Sequence, residues 1–247
     1  MATILAINPN TNEAVTALVE HSLRAAAPAV QWRMATGRFG ARYIVSEAAY
    51  AIASHAAIDA WAAHAQGCDA VLLACFGDPG LHALRELSPV PVVGLAEASM
   101  QAAAERAGST ARFSIVTGGP RWGPMLERIA RELGFGAKLA SVRATGITGG
   151  QAAAAPDSTV AALARACRQA HDEDGAGAII LGGAGFAGLA EPVSTLAGIA
   201  VIDSVMAGAR AAERLALGAP CSYARRPGAK QTPSSGIAAA LADKLLE

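Results

Sequence analysis

A cysteine at position 75 stands between an apolar run and a tight turn, in "VLLACFGDPGL" at residues 71–81. A thiol can take a proton from a carbon acid and give one back when its ionisation lies near the working pH. The apolar run reads as a buried strand. Asp78-Pro79 reads as an N-cap followed by the first-turn proline of a helix. A thiol just before a helix N-terminus faces free backbone N–H groups and the positive dipole end, and both favour the thiolate. Phe76 and Gly77 lie in the same loop, whose N–H groups suit a developing negative charge. Cys68, Cys167 and Cys221 have no such setting and read as small buried apolar residues.

The same pattern returns in "AIILGGAGFAGL" at residues 178–189, with Gly183 where the cysteine stood and Ala184 and Gly185 in the loop. Two further pairs recur in the same order at an offset of about 109 residues. They are "TILAINP" with "RFSIVTG" and "PVVGLAEASMQAA" with "AVIDSVMAGARAA". Strands read at 3–8, 69–74, 91–94, 112–117, 177–182 and 199–202, with weaker ones near 30–35 and 138–143. Ala-rich helical stretches separate them, which is the signature of an α/β fold with largely parallel sheets. One such stretch places Val15, Leu18, Val19 and Leu23 on a single helical face. Another does the same with Met125, Ile129 and Leu133. The expected organisation is two pseudo-symmetric lobes, each a mostly parallel sheet flanked by helices, at 1–108 and 109–217. Residues 218–247 then form a linker and a helical tail that docks on the body or on a neighbouring subunit.

Ligands of open parallel sheets sit beyond the carboxyl ends of the strands. With two facing lobes, the ends at Asn8, Cys75, Thr117 and Gly183 are expected to meet at one cleft. Asn8 and Asn10, in "NPNT", offer amides for a carboxylate or ring carbonyls, or else form a turn that caps the next helix through Thr11. Thr117 and Gly118 are their pseudo-symmetric partners, with a hydroxyl and N–H groups. Tyr43 either closes over a substrate or fills a core or interface.

The bulk properties exclude several classes. Twenty basic and twenty acidic residues cancel, so no field points to nucleic acid or an anionic membrane. The short basic run at 225–230 reads as part of the linker. "MATILAINPN" lacks a basic leader, and no apolar run approaches the roughly 20 residues of a membrane span. The cysteines show no CxxC, and the histidines no HExxH, so neither a disulfide framework nor a metal site is expected. The expectation is a cytoplasmic protein without metal or cofactor, acting on a small molecule, self-associating through its Ala-rich helices and tail. One rival stands: Gly183-x-Gly185-x-x-Gly188, with Asp203 ending the next strand, has the spacing of a dinucleotide fingerprint. Its late place in the chain, Pro192 in the following helix and the internal repeat all weigh against it.

The chain also resembles a family, the aspartate/glutamate/hydantoin racemase superfamily, and within it the hydantoin and allantoin racemase branch. The resemblance rests on "INPNTN", "GARYIVSEAAYA", "ACFGDPGL", "PVVGLAEASM", "FSIVTG", "LGGAGFAGL" and "VID", which span nearly everything before the tail. It implies a cofactor-free enzyme of two similar lobes. It also implies a mechanism in which one cysteine takes the α-proton from one face and a second returns it to the other. Cys75 matches the first of these, and Gly183 occupies the position of the second. Glu191 and Asp203 are the nearest carboxylates downstream of that gap. The readings left open are racemisation with another second base, one-sided decarboxylation of a substituted malonate as in arylmalonate decarboxylase, and ligand binding without catalysis.

Overall fold

The computed structural model describes residues 1–108, 111–220 and 234–245. The elements run β1 (Thr3–Asn8), α1 (Glu13–Ala26), β2 (Gln31–Thr36), α2 (Glu47–His64), β3 (Ala70–Leu73), α3 (Leu81–Leu87), β4 (Val92–Gly94) and α4 (Leu95–Ala107). They continue with β5 (Arg112–Thr117), α5 (Trp122–Glu132), β6 (Leu139–Ala144), α6 (Gly149–Ala154), α7 (Pro156–Asp172) and β7 (Ala176–Gly182). The chain then forms α8 (Ala190–Ala197), β8 (Val201–Asp203), α9 (Ser204–Ala216) and α10 (Ala239–Lys244).

Two four-stranded sheets result, in the orders β2-β1-β3-β4 and β6-β5-β7-β8. Every pairing between these strands is parallel. The identical order is the sequence repeat in three dimensions. The central strands are apolar without alternation: Ile4 to Ile7 on β1 and Val71 to Leu73 on β3 are fully buried. Such runs are what strands covered by helices on both faces require. The equivalent registers, Ile7 with Leu73 and Val116 with Leu181, bring the strand ends level within each sheet.

Local signals account for most helix boundaries. The Asn12 side chain accepts from Ala14 N and caps α1, one residue beyond the Thr11 expected in that role. Ser46 caps α2 through Ala49 N. On α1, Val15, Val19 and Leu23 are buried as expected, whereas Leu18 stands 36% exposed. The i, i+4 stripe of the first three carries the contact, and Leu18 lies at its margin. On α5, Met125 and Ile129 are buried, and the helix ends before Leu133.

Two compact units form, Met1–Gly94 with Ala209–Glu247, and Leu95–Gly208. The repeat alone would divide the chain after residue 108. The difference lies in α4, which packs on β5, β7 and β8, so its contacts place it with the strands that follow it in sequence. In the first unit α10 packs on α2 and buries Leu241. Cys221 and the basic run at 225–230, read from sequence as a buried residue and a linker, lie outside the described residues. Among the described residues no helix is long and apolar enough to cross a membrane.

Candidate active site

In the first unit, β1 delivers Asn8 and β3 leads through Ala74 into Cys75, which is 7% exposed. The helix expected to begin at Asp78-Pro79 begins later. Leu81 is its first residue, Gly80 at its N-cap is left-handed, and α3 is only seven residues long. Cys75 therefore sits at the head of a turn, closed by Asp78 N donating to Cys75 O at 3.1 Å. The thiolate expected from a helix terminus is not favoured here. Burial pushes the Cys75 thiol well above its ordinary range, and the Asp78 carboxylate pushes it further.

The turn is held from outside by α2. Tyr50 Oη donates to Gly77 O at 2.8 Å, and a Cβ at Gly80 would press on the Ser54 carbonyl at 3.0 Å. Tyr50 was not among the sequence candidates, although it lies at the end of the quoted "GARYIVSEAAY" segment. Phe76 is buried. The N–H groups of Phe76 and Gly77 donate to no acceptor among the described residues, the property their loop position suggested.

Asn8 and Asn10 have different jobs. Asn8 is fully buried, and its Nδ2 donates to Asn10 Oδ1 at 3.0 Å, Asn12 O at 3.2 Å and Thr16 Oγ1 at 2.9 Å. Its Oδ1 accepts from Asn10 N at 3.3 Å. That amide is committed to the turn. Asn10 Oδ1 also accepts from Asn12 N at 2.9 Å, but its Nδ2 donates to none of the described residues. Asn8→Ala should accordingly cost about 2 kcal/mol of stability through stranded partners. Asn10→Ala should cost about 1 kcal/mol, because Asn12 N and Asn8 Nδ2 lose its Oδ1 as acceptor, and should in addition weaken substrate affinity. Urea denaturation of both variants beside KM measurements separates the roles.

The loop between β2 and α2 closes over this turn from one side. Gly37 N donates to Asn8 O at 2.8 Å, and Thr11 N to Ala41 O at 3.2 Å. Arg38 grips the buried Asp59 of α2 with two bonds, at 2.8 and 2.7 Å. Phe39 meets His55 edge-on at 4.9 Å. Tyr43 lies in this loop, 38% exposed, rather than in the core.

The second unit repeats the frame with other side chains. Thr117 is buried and its hydroxyl donates to Gly182 O at 2.8 Å, tying the ends of β5 and β7. Thr145 N donates to Thr117 O at 2.9 Å, as Gly37 does to Asn8. After β7 the backbone turns at Gly183 with φ +139 and makes one 3-10 turn over Ala184–Phe186. The N–H groups of Ala184 and Gly185 donate to no acceptor among the described residues. Phe186 is buried, and Cβ atoms at Gly118 and Gly183 would lie 3.2 and 3.3 Å from its ring. The Gly183-x-Gly185-x-x-Gly188 segment is therefore packed around an aromatic ring. Asp203 Oδ1 accepts from Val205 N at 2.8 Å and Met206 N at 3.0 Å, and Oδ2 from Gly188 N at 3.3 Å. That carboxylate caps α9, a duty at odds with binding a ribose. Pro192 does not interrupt α8 but lies in its first turn, where its missing N–H is harmless. Glu191 is an exposed first-turn residue of α8, and its backbone carbonyl accepts from Thr195 Oγ1 at 3.1 Å.

Cys68 and Cys167 are also buried. Burial pushes the Cys167 thiol up to about 12, inside a cluster with Leu163, Ile179 and Val193. Neither stands at a strand end.

Comparison with known proteins agrees with this architecture. The family model described as Asp/Glu/Hydantoin racemase matches residues 4–212. A hydantoin racemase of Paenarthrobacter aurescens is 38% identical over 92% of this chain and 98% of its own length. The solved allantoin racemase from Klebsiella pneumoniae superposes with a TM-score of 0.86 at 33% identity, covering 96% of this chain and 97% of that one. Arylmalonate decarboxylase shares the fold at 22% identity and a TM-score of 0.60, over 92% of this chain and 96% of that one. With a family match across both units and relatives at this identity over nearly its whole length, the chain is a racemase-like enzyme and belongs to the Asp/Glu/hydantoin racemase family.

Proposed function

We propose that the enzyme racemises a 5-substituted hydantoin or a close cyclic ureide, with Cys75 as the acid/base on one face of the stereocentre. The observation that carries this reading is the Cys75 turn, a buried S–H at a strand end beside the unclaimed N–H groups of Phe76 and Gly77. The hydantoin and allantoin racemases similar to this chain support the substrate class. Loss of the ring C–H proton leaves an electron pair that is delocalised into the adjacent carbonyl. The enolate oxygen so formed takes hydrogen bonds from the turn, and Asn10 Nδ2 is a further donor for a ring carbonyl. Cys75 then gives its proton to carbon: S–H breaks, C–H forms, and the thiolate regains a proton from solvent. On the opposite face, where position 183 carries no thiol, a water molecule takes the ring C–H proton as the enolate forms.

Gly183 also favours a second reading, decarboxylation of a substituted malonate. Loss of CO2 leaves the same kind of enolate, and one S–H suffices to protonate it. Single enantiomers of several 5-substituted hydantoins in D2O distinguish the two, with deuterium followed by NMR and configuration by chiral chromatography. Racemisation predicts uptake together with inversion. Uptake with retained configuration, or none while a malonate loses CO2, would transfer the assignment to the second reading.

A further inference from the structure

The turns that follow β3 and β7 close with the same backbone bonds. Asp78 N donates to Cys75 O at 3.1 Å, and Phe186 N to Gly183 O at 2.9 Å. Further along, Leu81 N donates to Asp78 O at 3.1 Å and Leu189 N to Phe186 O at 3.0 Å. Gly77 and Gly185 hold equivalent places in these two frames. Their carbonyls are treated differently. Gly185 O accepts from no donor among the described residues; its residue is fitted against α6 instead, where a Cβ would lie 3.0 Å from Gly149 Cα. Gly77 O accepts from the Tyr50 hydroxyl at 2.8 Å. Of the two turns, the one that carries the thiol has its central carbonyl held by a side chain.

The backbone of that turn needs a restraint. Gly77 has φ +151 and Asp78 φ +54, whereas neither Gly185 nor Phe186 has a positive φ. Sparsely populated conformations persist where surrounding contacts over-determine them. The Gly77–Asp78 peptide is pinned at both polar ends, its N–H by Cys75 O and its carbonyl by Tyr50. The helix α2 backs this arrangement along one stripe. A Cβ at Gly80 would lie 3.0 Å from Ser54 O and 3.6 Å from Ala57 Cβ, and Tyr50, Ser54 and Ala57 follow the i, i+4, i+7 spacing of a single helical face. With the peptide fixed, the Phe76 and Gly77 N–H groups are the donors of the turn that no described residue claims. A Gly77 carbonyl without its hydroxyl could rotate, because glycine admits both signs of φ, and would bring negative charge among those donors.

We propose that Tyr50 is a positioning residue for the Cys75 turn. Its hydroxyl, reaching from α2 to Gly77 O, keeps that carbonyl toward the helix, so that the Phe76 and Gly77 N–H groups are preset for the enolate oxygen. The proposal rests on the functional reading given above, which supplies that oxygen. It holds for racemisation and decarboxylation alike, since both pass through an enolate. Tyr50 acts through the peptide it holds and exchanges no proton with the substrate.

The test compares full-length wild type, Tyr50→Phe and Ser54→Ala. Tyr50→Phe removes the hydroxyl and keeps the ring. Ser54→Ala removes another α2 hydroxyl, one bonded to Tyr50 O, and is the control. The first readout is amide exchange at Asp78 by NMR, which needs no substrate. The Asp78 amide should be protected in wild type and in the control. In Tyr50→Phe it should exchange about tenfold faster, with the amides of β1 and β3 unchanged. The second readout is deuterium uptake by a 5-substituted hydantoin beside CO2 release from a substituted malonate. For the substrate turned over, kcat of Tyr50→Phe should fall about tenfold, with KM within about twofold, because the N–H groups act on charge that develops in the transition state. A merely structural role would lower Tm and speed exchange across α2 without that split. An Asp78 amide that exchanges like an exposed one in wild type overturns the proposal, and this result needs no variant to fold. No turnover by wild type on any hydantoin or malonate sinks the functional reading and the proposal with it. An active wild type beside unshifted Asp78 exchange or unchanged kcat in Tyr50→Phe sinks the role of Tyr50 alone.

Discussion

Cys75→Ser should lower the rate of deuterium uptake by about a thousandfold, within the 10²–10⁴ that a positioned general acid/base contributes. Serine keeps the size of the side chain and the Asp78–Cys75 turn, so the loss is chemical. A hydroxyl is a far weaker acid than a thiol and surrenders its proton to an enolate reluctantly. The turn is buried and held by Tyr50, and thermal unfolding of the variant should stay close to wild type. Cys68→Ser and Cys167→Ser provide the contrast. Cys68 ends no strand, and Cys167 is core, where a hydroxyl costs stability without touching the site. The measurement is initial uptake rate per mole of folded protein for the three variants. Retention of more than a tenth of the wild-type rate in Cys75→Ser would remove the thiol from the reaction.

The repeat made the fold legible. Two sheets of one strand order follow from three matched pairs of segments, because strands buried on both faces leave continuous apolar runs that can be aligned by eye. The strand ends named in advance, Asn8, Cys75, Thr117 and Gly183, are where β1, β3, β5 and β7 finish or hand on to a turn. Other features depend on contacts that periodicity does not encode. The helix α4, "LAEASMQAAAERA", has small apolar residues around much of its surface, so nothing in it says which sheet it covers. Nor does the spelling of "GDPG" reveal that its Asp fills the gap at a glycine sixteen positions later. It reads as a helix cap, because Asp-Pro opens many helices, and the thiolate expected at Cys75 rests on that reading of the turn. The helix starts at Leu81 behind Gly80, six residues past Cys75, and burial, then the Asp78 carboxylate, pushes the thiol up.

Position 183 is the place where the two turns differ most, and Gly183→Cys should destabilise the protein instead of completing it. Cys75 has an ordinary backbone, whereas Gly183 has φ +139, a region that L residues enter at a cost of about 1–3 kcal/mol. The new Cβ would also lie 3.3 Å from the ring of Phe186, which is buried in a packed cluster with Val116, Leu181 and Ala190 and has little room to yield. Together these amount to about 3 kcal/mol, or a Tm lower by roughly 6–12 °C for a chain of this size. Gly183→Ala should lose nearly as much, since both substitutions share the backbone strain and the Cβ contact. Inversion of a hydantoin enantiomer by Gly183→Cys should not exceed the wild-type rate, because a thiol held on a strained backbone is not aimed. Calorimetry and chiral chromatography on the two variants check both halves. If Gly183→Cys melts with wild type and inverts faster, the second turn is a vacant copy of the first. If it melts early with no gain, the turn is rebuilt around Phe186 as a thiol-free surface of backbone N–H groups, and the chemistry of this enzyme is organised around the single thiol of Cys75.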